Sequence, residues 1–577
     1  MGRLCERCAQ LLQDFGNFVR STASRVAERI KELAAELREC CCLTSRKTKV
    51  KQLYEPVLPQ HEREAAEEFL KHLEIGPKEW PPSKETLDAL MTVAFSESTE
   101  LQHSAALYYL HISQNMTTQL PPKLLEPYLP LLQSSDLEVQ QMSSLSLVNF
   151  LLQGNVNKEQ VVHVGLLEPI LEMLESGDSA IQCNSCACIM TLAISEYNCE
   201  TIGLTGGFMP LLTLAKSYDP RVQQNAVGAI LNLTRSERIK SIMCHEGALP
   251  VLTLLLQSAD AEIQYYSCAS LGNIAANSEY HKAMLAIGDK FLLRMLVSLM
   301  SSTVQKVSSQ ACLCLNNLAS NAEVRGHLLN IDFMPLFPAL LNSSNKDVRQ
   351  ASVTLLCTLS HPPRNLDAFV CKDMLQHLAI LMQMERANHV VIIHTSCIME
   401  NICRAGAVEV LVRSQCFEEL LLSLLDPMND EESIGFVVEC LAELTKHEFT
   451  LKYLYERKGE SPIKCLVRMA MNLENKDLSF KSATVIRNLS HSGASNLKYF
   501  KEEVQDYLTC YLSHPELRFQ QMAISTLCSL SEDPKFSVAI GQSRLKEQLE
   551  EIRQQTEATH ALLKRTISQT DNLNLNE

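Results

Sequence analysis

Apolar positions recur along most of this chain at helical spacing, and the whole pattern returns about every 42 residues. The clearest copies are VQQNAVGAILNLTRS from Val222, IQYYSCASLGNIAANS from Ile263 and VSSQACLCLNNLASN from Val307. Ten places after each opening aliphatic or equivalent position stand His111, Asn149, Thr191, Asn232, Asn273, Asn317, Thr358, Asn401, Glu443, Asn488 and Ser529, eleven in all. One copy cannot bury its own apolar faces, so the copies must stack into a continuous helical array.

Between these helices lies a second signature, a glycine followed within four residues by proline and an apolar run: Gly165 to Pro169, Gly206 to Pro210 and Gly247 to Pro250. Proline fits a helix's first turn, where its missing N–H would be unpaired anyway. The unit therefore reads as a short helix, a bend, a second helix such as LPVLTLLLQS, a polar connector such as SADAE, and a long third helix. Three helices at this period predict an all-α, right-handed superhelical solenoid of about eleven armadillo repeats. Small residues, Ala226, Gly228, Ser267, Ala269 and Ala311, let neighbouring helices approach. The domains expected are a leader over 1–60, the repeat array over 61–540, and a C-terminal helix with a polar tail over 541–577.

Stacked third helices would line a concave groove for extended peptides. Its candidate binding residues are Asn149, Asn232, Asn273, Asn317, Asn401 and Asn488, with Arg235, Arg404 and Arg487 beside them. An amide offers both a donor and an acceptor, so these asparagines pair either with a ligand backbone or with neighbouring helix ends, and the sequence leaves both open. No glycine-rich phosphate loop, GxSxG, HExxH or nucleophile–base spacing is present, so no enzyme, cofactor or metal is expected. His163, His245 and His281 fall near helix ends or turns, where a solvated or hydrogen-bonded histidine is the commoner finding.

Composition changes the picture little in the array and much at the leader. The 577 residues are 46% hydrophobic and 21% charged, without an apolar run of about 18 or a cleavable signal pattern. Many of the 22 cysteines, among them Cys186, Cys188, Cys268, Cys312 and Cys314, sit inside repeat helices as small reduced hydrophobes. The leader opens with Gly2, Cys5 and Cys8 and later carries Cys40, Cys41 and Cys42 just before Arg46, Lys47, Lys49 and Lys51. These are candidate lipidation sites: palmitate on the cysteines, and myristate on Gly2 although Glu6 stands where serine or threonine is preferred. Residues 1–53 hold eleven Lys/Arg against six Asp/Glu, while the chain carries −15. A basic leader on an acidic body points to anionic lipid rather than nucleic acid. Leu12, Phe15, Val19, Val26, Ile30, Leu33 and Leu37 form one stripe, which could lie in a membrane interface, pair as a coiled coil to give a homodimer, or pack on the first repeat. Cys5-x-x-Cys8 with Cys40 to Cys42 is the alternative zinc arrangement, weakened by the contiguous triplet and by the lack of a nearby histidine.

From Glu62 to Leu340 the fragments EREAAEEFLKHLE, LQHSAALYYLHIS, IQCNSCACIMTLA, RVQQNAVGAILNLT, EGALPVLTLLLQSADAEIQYY and LVSLMSS resemble the vacuolar protein 8 family. That resemblance implies a myristoylated and palmitoylated, non-enzymatic adaptor on the cytoplasmic face of a vacuole- or lysosome-type membrane, with a cytosolic pool. It also implies partner proteins bound through extended segments, in organelle tethering, inheritance, fusion or autophagy-related traffic. Where the family commonly has arginine before the groove asparagine, this chain has Asn316, Cys357 and Glu400, and only Arg487 precedes Asn488. The alternative is a soluble catenin- or importin-like scaffold in cytosol or nucleus. Against importin stands the single tryptophan, Trp80, at the edge of the array.

Overall fold

The computed structural model describes residues 58–75, 82–331, 333–361, 369–370, 372–456, 462–490, 502–532, 534–552 and isolated positions from 556 to 564. Among them all regular structure is helical. The lipidation candidates, the leader stripe, Trp80 and the tail over 565–577 lie outside the described residues.

The long third helices are α1 Thr99–Asn115, α2 Leu137–Gln153, α3 Ser179–Leu192, α4 Pro220–Leu233, α5 Ala261–Ala275, α6 Gln305–Leu318, α7 Lys346–Leu359, α8 His389–Arg404, α9 Glu431–Leu444, α10 Lys476–Ser490 and α11 Leu517–Leu530. Each of the eleven positions counted from the sequence falls on one of them. The chain divides into two compact units, Met1–Met295 and Leu296–Glu577. In the first, α1 to α5 pack each on the next, and in the second α6 to α11 do the same, so each unit is an armadillo solenoid. The sequence before the division, Gly288-Asp289-Lys290, replaces the glycine-to-proline turn, and all three residues have left-handed φ of 54°, 49° and 65°.

The glycine turns are where the pattern put them. Gly165, Gly206 and Gly247 have φ of 92°, 83° and 88°, a region that costs a side chain strain. The helices that follow, Leu167–Glu172, Phe208–Leu214 and Ala248–Leu255, each carry proline in their first turn. One complete repeat is thus Glu237–His245, Ala248–Leu255 and α5.

The polar connectors have a repeated logic that their composition does not announce. Asp136, Asp178, Asp219 and Asp260 are the N-caps of α2 to α5 and accept from backbone N–H groups at 2.7–2.9 Å, satisfying donors that a helix start leaves orphaned. Two residues earlier, Ser134, Ser176, Ser217 and Ser258 each accept from the aspartate's own N–H. Four residues after three of these caps, Gln140, Gln182 and Gln264 donate back to the carbonyls of Ser134, Ser176 and Ser258.

The interior is aliphatic with small contacts where helices meet. A Cβ added at Gly228 would lie 2.5 Å from Met190 Sδ and 3.4 Å from Tyr266, so α3, α4 and α5 approach as closely as they do because that residue is glycine. Cys186, Cys188, Cys268, Cys312 and Cys314 are buried free thiols. Burial pushes Cys312 and Cys314 up to about 12, which leaves them unreactive. After α11, the helices Pro534–Gly541 and Arg544–Glu551 close the second unit with Leu545 and Leu549 buried.

Candidate functional site

The asparagines form a ladder, and each rung reaches the preceding third helix in its own unit. A helix's last four carbonyls have no partner inside the helix. In the first unit, Asn149 Nδ2 donates to Ser113 Oγ at 3.0 Å, Asn232 Nδ2 to the Met190 carbonyl at 2.7 Å, and Asn273 Nδ2 to Thr234 Oγ1 at 2.9 Å. The hydroxyls pass the bond on: Ser113 donates to the Leu110 carbonyl and Thr234 to that of Leu231. In the second unit Asn401 Nδ2 donates to Ser360 Oγ at 2.8 Å, and Asn488 Nδ2 to Thr445 Oγ1 and the Ala442 carbonyl, both at 3.1 Å. Ser360 and Thr445 likewise donate to helix-end carbonyls.

Of the two roles the sequence left open, the donor half of these amides takes the structural one. The amide oxygens of Asn149, Asn232, Asn273 and Asn401 take no part in the bonds just described. An extended ligand meeting them would therefore donate its N–H groups. At Asn488 that oxygen already accepts from Arg487 Nη2 at 3.4 Å. Asn317 is half-buried on α6, and its neighbour Asn316 accepts from Thr358 Oγ1 at 2.6 Å.

Sequence reasoning missed a second row of amides. Seven residues ahead of the counted positions Thr191 and Asn232, Asn184 donates to Ser144 Oγ at 3.0 Å and Asn225 to the Cys183 carbonyl at 3.2 Å. The signal was there: an amide at the same register of successive copies.

The arginines are placed differently from one another. Arg235 is exposed and donates to the Ile194 carbonyl at the end of the α3 segment at 3.1 Å. It lines a cleft of about 400 Å³ with Ala193, Ile194, Glu196, Cys199, Thr234, Ser236, Lys240, Asn273 and Ala276. Lys240 is buried there, paired with Glu237 and donating to the Asn273 carbonyl at 3.2 Å. Arg404 pairs with Glu400 one turn before it, so this cation has an internal partner. Glu400 is buried, and burial raises its carboxyl above the usual range, with Arg404 opposing and Glu439 and Glu443 adding to the rise. Lys481 bridges Glu439 and Asp477 at 3.0 and 2.9 Å, and Lys446 holds Glu443 at 2.6 Å.

The histidines match expectation. His245 is exposed, His163 stacks with Tyr197 at 5.3 Å, and His281 is buried with Nε2 on the Ala275 carbonyl at 2.7 Å. No group of three or more metal-ligating side chains occurs among the described residues. No described helix is long and apolar enough to cross a membrane.

The armadillo/beta-catenin-like repeat model matches residues 154–192 and 236–276, both in the first unit. Vacuolar protein 8 of Gibberella zeae is 41% identical over 112 residues, 19% of this chain and 20% of that protein. Vacuolar protein 8 of Schizosaccharomyces pombe is 34% identical over 133 residues, 23% and 24% of the two chains, and that of Saccharomyces cerevisiae is 36% identical over 108 residues, 19% and 18%. The aligned stretches span about a fifth of the length of these curated relatives. A solved structure described by the words "A conserved phosphorylation switch controls the interaction between cadherin and beta-catenin in vitro and in vivo" superposes with a TM-score of 0.61 at 13% identity, covering 84% of this chain and 99% of that one. An engineered protein superposes with a TM-score of 0.51 at 21% identity, covering 77% and 98%. Both likenesses concern the fold alone.

Proposed function

We propose that this armadillo chain is a non-enzymatic adaptor that holds extended segments of partner proteins on its third-helix faces while an acylated leader keeps it on a vacuole- or lysosome-type membrane. The observation that carries the reading is the ladder in the first unit. Asn149, Asn232 and Asn273 recur at one register with their donor half committed to the neighbouring repeat, and among the described residues no bond to their amide oxygens is seen, Asn149 and Asn232 being largely buried and Asn273 partly exposed. Beside the last of them lies the cleft with Arg235. A row of acceptors at repeat spacing suits a backbone, which offers N–H groups regardless of sequence.

The membrane half rests on the leader's residues, since Gly2, Cys5, Cys8 and Cys40 to Cys42 are outside the described region. A single acyl chain gives only reversible attachment, and a second chain or a basic stretch such as Arg46 to Lys51 makes it stable. Similarity of one stretch to proteins named for the vacuole supports that membrane over others.

The test combines fractionation with acyl-exchange labelling of the intact chain. Changing Cys40, Cys41 and Cys42 together to serine releases most of the protein from membranes, and Gly2→Ala weakens retention where myristate is added. Full retention with all five leader cysteines replaced, or no thioester on the wild type, would overturn the anchor and favour a soluble scaffold.

A further inference from the structure

In the second unit the third-helix face changes chemistry, and two thiols stand where the first unit has Gly228 and Leu231. Cys357 on α7 is one place before Thr358, and Cys397 on α8 is four places before Asn401. The register between these helices is fixed at both ends. Near their starts Gln350 Nε2 donates to Asn388 Oδ1 at 2.9 Å, a separation of 38 residues. Near their ends Asn401 Nδ2 donates to Ser360 Oγ at 2.8 Å, a separation of 41. Residues about 40 apart between these two bonds lie at one level, and Cys357 and Cys397 are such a pair. Each stands one helical turn before a partner of the Asn401–Ser360 bond, so both thiols lie on the faces by which the two helices meet.

Exposure and polarity set this pair apart from the thiols of the core. Cys186, Cys188, Cys312 and Cys314 are buried, whereas Cys357 and Cys397 are both partly exposed. The neighbouring Cys357 side chain holds the Cys397 thiol below its ordinary value, against burial and the carboxylates Glu400 and Glu439, with Arg404 assisting. The Cys397 side chain, with burial, raises Cys357. One sulfur is thus suited to attack and the other to resolve, because the thiolate is the nucleophile.

We propose that Cys357 and Cys397 are a peroxide-oxidisable dithiol, a modification site that closes into a disulfide across α7 and α8. The Cys397 thiolate attacks the O–O bond of hydrogen peroxide and becomes a sulfenic acid, and the departing hydroxide takes the released proton to leave as water. The Cys357 thiol then attacks that sulfur and expels a second water as the S–S bond forms. Two thiols are oxidised, one peroxide is reduced to two waters, and the atoms balance. A thiol donor such as dithiothreitol reverses the step by exchange through a mixed disulfide. Closure ties α7 to α8 beside the Asn401 rung and beside Glu400 and Arg404, the charged residues of that face.

The experiment uses the intact chain, treated with hydrogen peroxide below the level that alters its thermal unfolding, then blocked with N-ethylmaleimide, digested and mapped by mass spectrometry. The expected result is a Cys357–Cys397 linked peptide, two hydrogen atoms lighter than its parts and lost on reduction. In Cys357→Ser the resolving sulfur is gone, so Cys397 accumulates as a sulfenic acid that dimedone traps. In Cys397→Ser, Cys357 keeps its thiol under the same treatment. Recovery of both residues as maleimide adducts while other cysteines oxidise, or linkage of either to a different cysteine, would overturn the proposal. If a serine variant fails to fold, mapping of the wild type alone decides.

Discussion

The two units are built on one period and hold their repeats together with different chemistry. From α2 to α5 the connectors repeat Ser-x-Asp, and two of the three ladder asparagines pass their N–H to a helix-end hydroxyl while the third bonds a carbonyl directly. From α6 to α11 the equivalent places include Thr358, Glu443 and Ser529, and charges enter the face as Glu400, Arg404, Glu439, Lys481 and Arg487. The repeat model matches only segments of the first unit. The difference teaches that the period is kept by apolar burial, which tolerates much substitution, while the polar face between helix ends is free to change so long as its donors and acceptors are met.

Crowding should give the largest contrast between the units. Gly228→Leu drives a side chain into Met190 and Tyr266, so the first unit should lose on the order of 1–3 kcal/mol or more. Thr354→Leu, at the equivalent but partly exposed place on α7, should cost well under half of that. Urea unfolding of both variants checks the ordering, and equal losses would mean that the helices approach alike in both units.

Next comes the ladder itself. Asn232→Asp puts a carboxylate against the Met190 carbonyl where an N–H now points, and should cost more than Asn232→Ala, which leaves one helix-end carbonyl unmet at about 1–3 kcal/mol. Thermal melts of the two variants rank them. A milder aspartate variant would show that the amide is not held as a donor. Asp260→Ala removes the N-cap of α5 and should cost about 1 kcal/mol, read as faster hydrogen exchange in its first turn.

The smallest effect concerns charge in the second unit. Burial raises Glu400, so the folded chain holds its proton more tightly than the unfolded chain does. Its ionised form therefore costs stability above the folded value, and the cost disappears below the unfolded value near pH 4, about the ordinary range for glutamate. Glu400→Gln should stabilise the chain slightly at pH 7, partly offset by the lost pair with Arg404, and the gain should vanish on acidification. Urea midpoints across pH measure it, and a gain that grows as pH falls would reverse the assignment.

Much of this was legible in the sequence because it follows from periodicity. All eleven counted positions lie on long helices, and Gly165, Gly206 and Gly247 make the turns assigned to them. What was not legible depends on which of two partners a polar group takes. Asn232 could donate to a helix end or face a ligand, and only the position of the Met190 carbonyl decides. Arg404 reads as a groove cation until Glu400, one turn away, is found to hold it. The Ser-x-Asp connectors and the Asn184 and Asn225 row were visible as repeats, but their polar composition alone gave no bond partners. The left-handed run Gly288-Asp289-Lys290 was not legible either, because nothing in the residue types of Asp289 and Lys290 demands a positive φ.

The central claim is that the first unit's ladder offers acceptors to a ligand backbone. The direct measurement takes a peptide selected from a random library on the intact chain and replaces its residues one at a time with their N-methyl counterparts. N-methylation removes an N–H and leaves the side chain in place. The account predicts periodic losses, each on the order of tenfold for a hydrogen bond of about 1–1.5 kcal/mol, that disappear when Asn149, Asn232 and Asn273 are changed together to alanine in a chain that still folds. A peptide that tolerates methylation at every position while binding the wild type would contradict it.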